Sequence, residues 1–227
     1  MPNLESPFFI IIFDAFLSAN IKKYMIENGA VLPMCYLPPI EYFIELNKYK
    51  PNILIEREEH FPKQTYRNRA NIYSPDGVLA LTVPVVKGSK NHTKIKEVKI
   101  SYDFRWQRQH WMGLQACYRS SAYFEYYEDD FATFYEKETE YLFDYNEQML
   151  HLLLKLLKIK TPLQFTETYE AAYPALTDLR NTISPKKENE FGQKPYFQVF
   201  EENHGFIKNL SIVDLLFNQG PQALDYL

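Results

Sequence analysis

The spacing of apolar positions changes several times along the chain, and each change predicts an element. Ala30 to Leu32 is a short apolar run closed by Pro33, which cannot donate to a ladder, and it predicts a buried strand. Pro38-Pro39 then opens a helix in which Ile40, Phe43, Ile44 and Asn47 share one face. A second apolar run, Asn52 to Ile55, follows. Strand, loop, helix and strand in that order make a βαβ unit, whose right-handed crossover sets the two strands parallel. Asn71 to Tyr73 and Val78 to Val86 flank Ser74-Pro75-Asp76-Gly77, a turn that predicts a β-hairpin. Pro84 puts the second hairpin strand at an edge or a bulge. The polar basic loop 87–94 leads to a further expected strand at Ile95 to Ile100.

Helical spacing then takes over. Phe104 to Tyr118 places Trp106, His110, Leu114 and Cys117 on one face. Amphipathic helices are expected over 122–135 and 138–157, and a short strand at 163–168. The span 172–194 is rich in loop signals, and with Pro174, Pro185 and SPKKENEFG it offers little to bury. A last strand is expected at Tyr196 to Phe200. In LSIVDLLFNQGP, Ser211 and Asp214 have the spacing of a capping box, and Gly220-Pro221 stops the helix. The predicted fold class is α/β, with α+β as the alternative: a central mixed sheet from strands near 30, 53, 71, 80, 97 and 198, flanked by helices.

At 227 residues and 46% hydrophobic, the chain can bury one substantial core. The segment 8–17 resembles a signal or anchor, but it is far shorter than the ~20 residues a membrane span needs and contains Asp14. Glu5, with no Lys or Arg before it, lacks the positive start of a secretory signal. No stable membrane span is expected. Residues 1–24 are read either as a surface helix or as an extension outside the core, with 25–227 as a single domain whose second half is helical and loop-rich. A net charge of −4 argues against nucleic acid as a partner, because phosphate contacts need a basic face. Two cysteines without paired spacing, Cys35 and Cys117, suggest reduced thiols and a cytoplasmic location. No metal-ligand spacing is recognised, no cofactor is assigned, and the P-loop, Rossmann, hydrolase-elbow and zinc signatures are missing from the sequence.

The chemically densest stretch is Arg57 to Ile72, REEHFPKQTYRNRANI, which joins two apolar runs. Polar groups in such a connection gather at a strand edge and can line a cleft. In an open α/β sheet the loops after the first and second strands lie at the same edge, where ligands bind.

These residues carry a resemblance. Residues 30–227 look like a member of the WbqC-like family, bacterial proteins associated with O-antigen and other surface-polysaccharide gene clusters. The family's opening signature, approximately QPxYLPWxGYF, stands here as PMCYLPPIEYF from Pro33 to Phe43; Tyr36, Leu37, Pro38, Tyr42 and Phe43 match, whereas Gln, Trp and Gly are replaced. Its second signature, DDVQFxKxxWxNRNRI, is met by Phe61, Lys63, Asn68 and Arg69, with Glu58 and Tyr66 at related positions. Trp106 with His110, Tyr196, Gln198 and LSIVDLLFNQGP continue the match, which weakens over 164–195. The resemblance also makes Met25 the expected start.

The resemblance implies a setting in cell-surface polysaccharide biosynthesis and a glycyl or related aminoacyl transferase acting on a sugar-linked amine or carboxylate. The expected partner is then a small-molecule substrate, an activated sugar or an acyl donor. On that account Arg69, Arg67 and Lys63 hold a phosphate or carboxylate. His110 acts as general base, since an ordinary imidazole titrates near working pH, and Glu58 assists it. Asn68 orients a carbonyl, and Tyr36 and Tyr42 stack on a ring. All these groups are expected to converge on one pocket at the end of the first strand. The alternative is a non-catalytic ligand-binding or scaffold protein. In it Asn68 and Arg69 tie the loop to the sheet, Glu58 or Glu59 neutralises Arg69, and His110 completes a structural network.

Overall fold

A computed structural model describes residues 28–86, 93–187 and 191–227. The expectations for residues 1–24, for a start at Met25 and for most of the basic loop 87–94 lie outside the described residues. The first strand, β1 (Gly29–Pro33), is buried along its whole length and leads to helix α1 (Ile40–Tyr49) and strand β2 (Ile53–Glu56). β1 and β2 pair in parallel from Ala30 opposite Ile53 to Pro33 opposite Glu56, as the βαβ order requires. The hairpin follows as β3 (Arg69–Ser74) and β4 (Gly77–Thr82), antiparallel around the turn at Pro75-Asp76. Gly77 supplies the left-handed backbone that the turn demands, at a φ of 98°.

Three helices succeed it, α2 (Trp106–Tyr118), α3 (Phe124–Glu136) and α4 (Leu142–Leu156). The inward face of α2 carries Trp106, His110, Leu114 and Cys117, the residues its spacing predicts. Short strands β5 (Gln164–Phe165) and β6 (Leu176–Asp178), a one-turn helix α5 (Glu201–His204) and helix α6 (Ile212–Gln219) complete the described elements, with 3₁₀ turns at Ile95–Glu97 and Gly220–Tyr226.

The fold is α/β. Its main sheet has the order β5-β2-β1-β6 and is parallel throughout, while β3 and β4 form a separate two-stranded ladder. Three expectations change. The hairpin does not extend the main sheet. The run 95–100 is a 3₁₀ turn followed by isolated bridges, Lys99 to Tyr141 and Ile100 to Val85. Tyr196 to Phe200 is not a strand, because Tyr196 and Gln198 direct their side chains to a buried carboxylate instead. In their place the loop-rich span supplies β6, which pairs with β1 from Gly29 opposite Leu176. That span buries Leu179, Arg180 and Ile183, more than its composition suggests.

The C-terminal helix is seated by polar groups at both ends. Ser211 Oγ accepts the Val213 amide as an N-cap and donates to the Leu37 carbonyl. Asp214 does not close the capping box. It turns into the core, where its carboxylate accepts from Tyr118 OH (2.8 Å), Tyr196 OH (2.6 Å) and Gln198 Nε2 (3.0 Å). At the far end Gly220 sits at a φ of 53°, and a Cβ there would lie 2.4 Å from the Tyr123 ring. The Tyr123 backbone is itself held by the Phe217 carbonyl. Gly220→Ala combines left-handed strain with overpacking and is expected to cost about 2–3 kcal/mol in chemical denaturation. A loss below about 1 kcal/mol would mean that the ring swings aside freely.

Candidate functional site

The carboxyl edge of the parallel sheet is where a ligand is expected, and the chain fills it with its own charges. Glu56, at the end of β2, is completely buried. Its carboxylate accepts from the Glu58 amide (2.8 Å), Thr166 Oγ1 (2.8 Å) and Arg180 Nη1 (2.9 Å). Arg180 arrives from the segment after β6, and the pair therefore spans the end of β1. Its other donors reach Asp178 through Nε and Nη2 and the carbonyls of Glu170 and Ala171. All five guanidinium N–H groups are thereby used. The rings of Tyr173 and Tyr169 lie 4.9 and 5.4 Å from its Cζ. Burial works against the Asp178 carboxylate, but the hydrogen bonds and charge of Arg180 outweigh it and hold its pKa below the ordinary value.

A second buried pair adjoins the first. Arg67 meets Glu59 in a two-pronged contact, Nε to Oε1 at 2.6 Å and Nη2 to Oε2 at 2.8 Å, and also donates to the Arg180 carbonyl. Burial pushes the Glu59 carboxyl up by more than Arg67 draws it down. The same burial raises the Cys35 thiol to about 12, which leaves it a protonated, unreactive sulfur.

The residues proposed from sequence fall into separate groups. Tyr36 and His110 do meet: Tyr36 OH lies 3.0 Å from His110 Nδ1 and 3.0 Å from Tyr135 OH. Burial lowers the His110 pKa to about 4, although a backbone hydrogen bond at Thr82 opposes the shift. The ring is therefore neutral at pH 7. With Nδ1 accepting from Tyr36, the chain of donors runs Tyr135 to Tyr36 to His110 to Thr82. Arg69 reaches the same residue, Nε to Thr82 Oγ1 at 3.4 Å, on the outer side of the hairpin. Asn68 ties the hairpin by donating to the Val83 carbonyl (2.9 Å). Arg67 belongs to the sheet-edge network, and it is the residue Glu59 neutralises, in place of Arg69. Glu58 faces Lys96 (2.6 Å) and Lys94 (2.9 Å), whose contacts overcome its burial and hold its pKa low. Tyr42 is fully buried with an unpartnered hydroxyl, and Lys63 is exposed. Among the described residues no group of three or more His, Cys, Asp or Glu is placed to hold a metal ion.

A cavity of about 880 Å³ has Tyr66 in its lining. The hairpin contributes Asn71 and Val78, the loop-rich span contributes Lys187 and Phe191, and the approach to α6 contributes Phe206 to Leu210. Tyr66 stands in the motif-bearing stretch, and burial with the nearby Glu41 raises its phenol to about 12, so that it remains a donor. Asn209 shapes the floor from a left-handed backbone, φ 55°, exchanging hydrogen bonds with Glu41 through Oδ1 and Nδ2. Sequence reasoning missed this wall. Its residues are single lysines, phenylalanines and asparagines spread over two loops, with no spacing to link them.

Among the described residues no helix is long and apolar enough to cross a membrane. The chain is 29% identical over 227 residues to the uncharacterized protein Rv1507c of Mycobacterium tuberculosis (strain ATCC 25618 / H37Rv), an alignment covering 88% of this chain and 97% of that protein. No solved structure matches. The model of the WbqC-like protein family matches residues 34–188, from the loop after β1 through the sheet-edge network to the cavity's Lys187, and the chain belongs to that family.

Proposed function

We propose that this protein binds a small molecule of cell-surface polysaccharide assembly, an activated sugar or an acyl donor, in the cavity beside Tyr66. The observation that carries this reading is the contrast between two regions. At the sheet edge Arg67, Arg180, Glu56 and Glu59 are engaged with one another. The cavity instead has the volume of a ligand site, apolar and aromatic walls, and amide and ammonium groups among its lining residues. The setting in polysaccharide assembly rests on the sequence resemblance, and a cytoplasmic location on the two cysteines without paired spacing.

A thermal-shift screen of nucleotide sugars, aminoacyl donors and acyl-coenzyme A tests the reading. A ligand at about a hundred times its Kd adds about 2.7 kcal/mol, which for a chain of this size raises Tm by about 5 °C or more. Phe206→Ala should abolish that shift. A screen in which no compound moves Tm, or a shift that Phe206→Ala leaves intact, would sink the proposal.

The donor chain from Tyr135 through Tyr36 to His110 favours a second reading, an aminoacyl or related transferase. A base whose pKa is lowered to about 4 becomes deprotonated as pH rises through about 4. Transfer driven by His110 should therefore rise along an acid limb near that pH and be flat around neutrality. His110→Ala should keep ligand binding and lose turnover.

A further inference from the structure

We infer that β4 is a pairing edge on which a second copy of this chain docks antiparallel, β4 against β4, about a twofold axis at Leu79. Among the described residues β4 pairs with β3 alone, so its other edge is open. The ladder decides which groups face that edge. The Val83 amide donates to the Asn68 carbonyl at 2.8 Å, so by alternation Leu81, Leu79 and Gly77 also exchange bonds with β3, and Val78, Ala80 and Thr82 turn their backbone groups outward. The far side of β3 shows the same alternation: Asn71 accepts from the Ser211 amide there, and the Tyr73 amide donates to Tyr118. Of the three outward residues, Thr82 is already bonded through its backbone to His110. Val78 and Ala80 are left, each offering an amide and a carbonyl.

Those four groups complement themselves. With Leu79 opposite Leu79 of the partner subunit, Val78 falls opposite Ala80 of the partner subunit, and the two such pairs exchange four hydrogen bonds. An axis at Ala80 instead would need the Thr82 carbonyl, which His110 occupies. The two Leu79 side chains meet at the close spacing of a non-hydrogen-bonded pair. Leu79 lies against α2 at Gly113, where a Cβ would stand 3.9 Å from it, and the neighbouring Met112 is 55% exposed. On the other face Val78, 53% exposed, covers Ala80 of the partner subunit.

No charge stands between Gly77 and Thr82 to repel a second strand. Charge stands at the two ends. Asp76 is exposed in the turn before β4, and Arg69 lies beside Thr82 at the other end. Among the described residues neither forms an ion pair. The Leu79 axis brings the Asp76 turn of each copy up to Thr82 of the other, and so sets acid toward guanidinium twice over. That match favours a second copy over an unrelated strand, because an isologous contact repeats every complementary pair.

The test is analytical ultracentrifugation of the full chain over a range of concentrations, with hydrogen exchange of the β4 amides. A monomer–dimer equilibrium with a Kd of about 1–100 μM is expected, the scale of a small interface. The Val78 and Ala80 amides should gain protection as concentration rises. Ala80→Pro removes an outward amide and spares the β3 ladder, and should weaken the dimer at least about tenfold. Leu79→Lys, which sets two ammonium groups together at the axis, should do the same if Ala80→Pro disturbs the hairpin. Arg69→Glu should weaken the dimer by about fivefold, and adding Asp76→Lys should restore it. A chain that stays monomeric at every concentration overturns the inference. So does a dimer that Leu79→Lys leaves intact, or a monomer whose Val78 and Ala80 amides are protected at all concentrations, since another segment of the same chain then lies on the edge.

Discussion

Arg180→Ala is expected to destabilise the fold by about 3–5 kcal/mol, because it strands a carboxylate that has no route to water. Glu56 is completely buried, and Arg180 is the cation paired with it. The same change removes the guanidinium from Asp178 and from the Glu170 and Ala171 carbonyls, so several acceptors lose partners at once. Glu56→Gln in the Arg180→Ala background should recover part of the loss, since the stranded charge is gone and only hydrogen bonds remain unpaired. Urea denaturation of the two single variants and the double measures this coupling. A cost of less than about 1 kcal/mol for Arg180→Ala would mean that water reaches Glu56 and that the edge is an open site.

Asp214 should make stability fall as pH rises from about 4 to about 6, against His110, whose pKa burial lowers to about 4 and which makes stability rise over the same range. Burial raises its carboxyl from 3.8 to about 6, against the hydrogen bonds of Tyr196, Tyr118 and Gln198, which lower it. A raised acid binds its proton more tightly in the folded state than in the unfolded one. Unfolding between those pH values therefore releases a proton, and stability present below the unfolded pKa is lost as pH passes the folded one. The ceiling is about 3 kcal/mol, since each tenfold change in proton affinity is worth about 1.4 kcal/mol. Glu59, also raised, adds to the slope. Asp178 and Glu58 are lowered, so their contributions are lost as pH falls below the ordinary carboxylate range, outside most of this window. Asp214→Asn should remove the falling contribution, so that stability rises more with pH between about 4 and about 6 in the variant than in the unsubstituted protein, and parallel profiles for the two proteins would refute the assignment. Asp214→Ala removes the acceptor of three buried donors and should cost about 3 kcal/mol below about pH 4, a cost that shrinks as pH rises through about 6.

Local pattern made much of this fold legible. The βαβ unit, the hairpin turn and the inward face of α2 all follow from spacing and turn chemistry, which act over a few residues. β6 was illegible for a physical reason. Leu176, Thr177 and Asp178 show no apolar run, and they are a strand because β1 offers them a free edge and Arg180 locks the segment down. The same applies to the site. Sequence density marks Arg57 to Ile72 as the chemically richest stretch, yet density does not say which way the charges face. Arg67 turns inward to Glu59, Glu58 turns to two lysines beyond the stretch, and Tyr66, which carried no charge to attract notice, lines the cavity. Asp214 looked like a cap because its spacing from Ser211 fits one. Three donors from distant segments outweigh a single backbone amide.

The position of β1 between β2 and β6 has a consequence for the chain as it is synthesised. β2 leaves the ribosome soon after β1, but β6 follows only after the hairpin and helices α2 to α4 have emerged. Until then one edge of the central strand is unpaired, and Glu56 has no Arg180 to meet it. The carboxylate remains hydrated, and the parallel pair has no means of drying its carboxyl end. Closing the sheet and burying its charge are thus the same event. It waits on the segment whose composition least resembles a core, and a nascent chain that stops short of Arg180 holds an open strand edge beside a solvated acid.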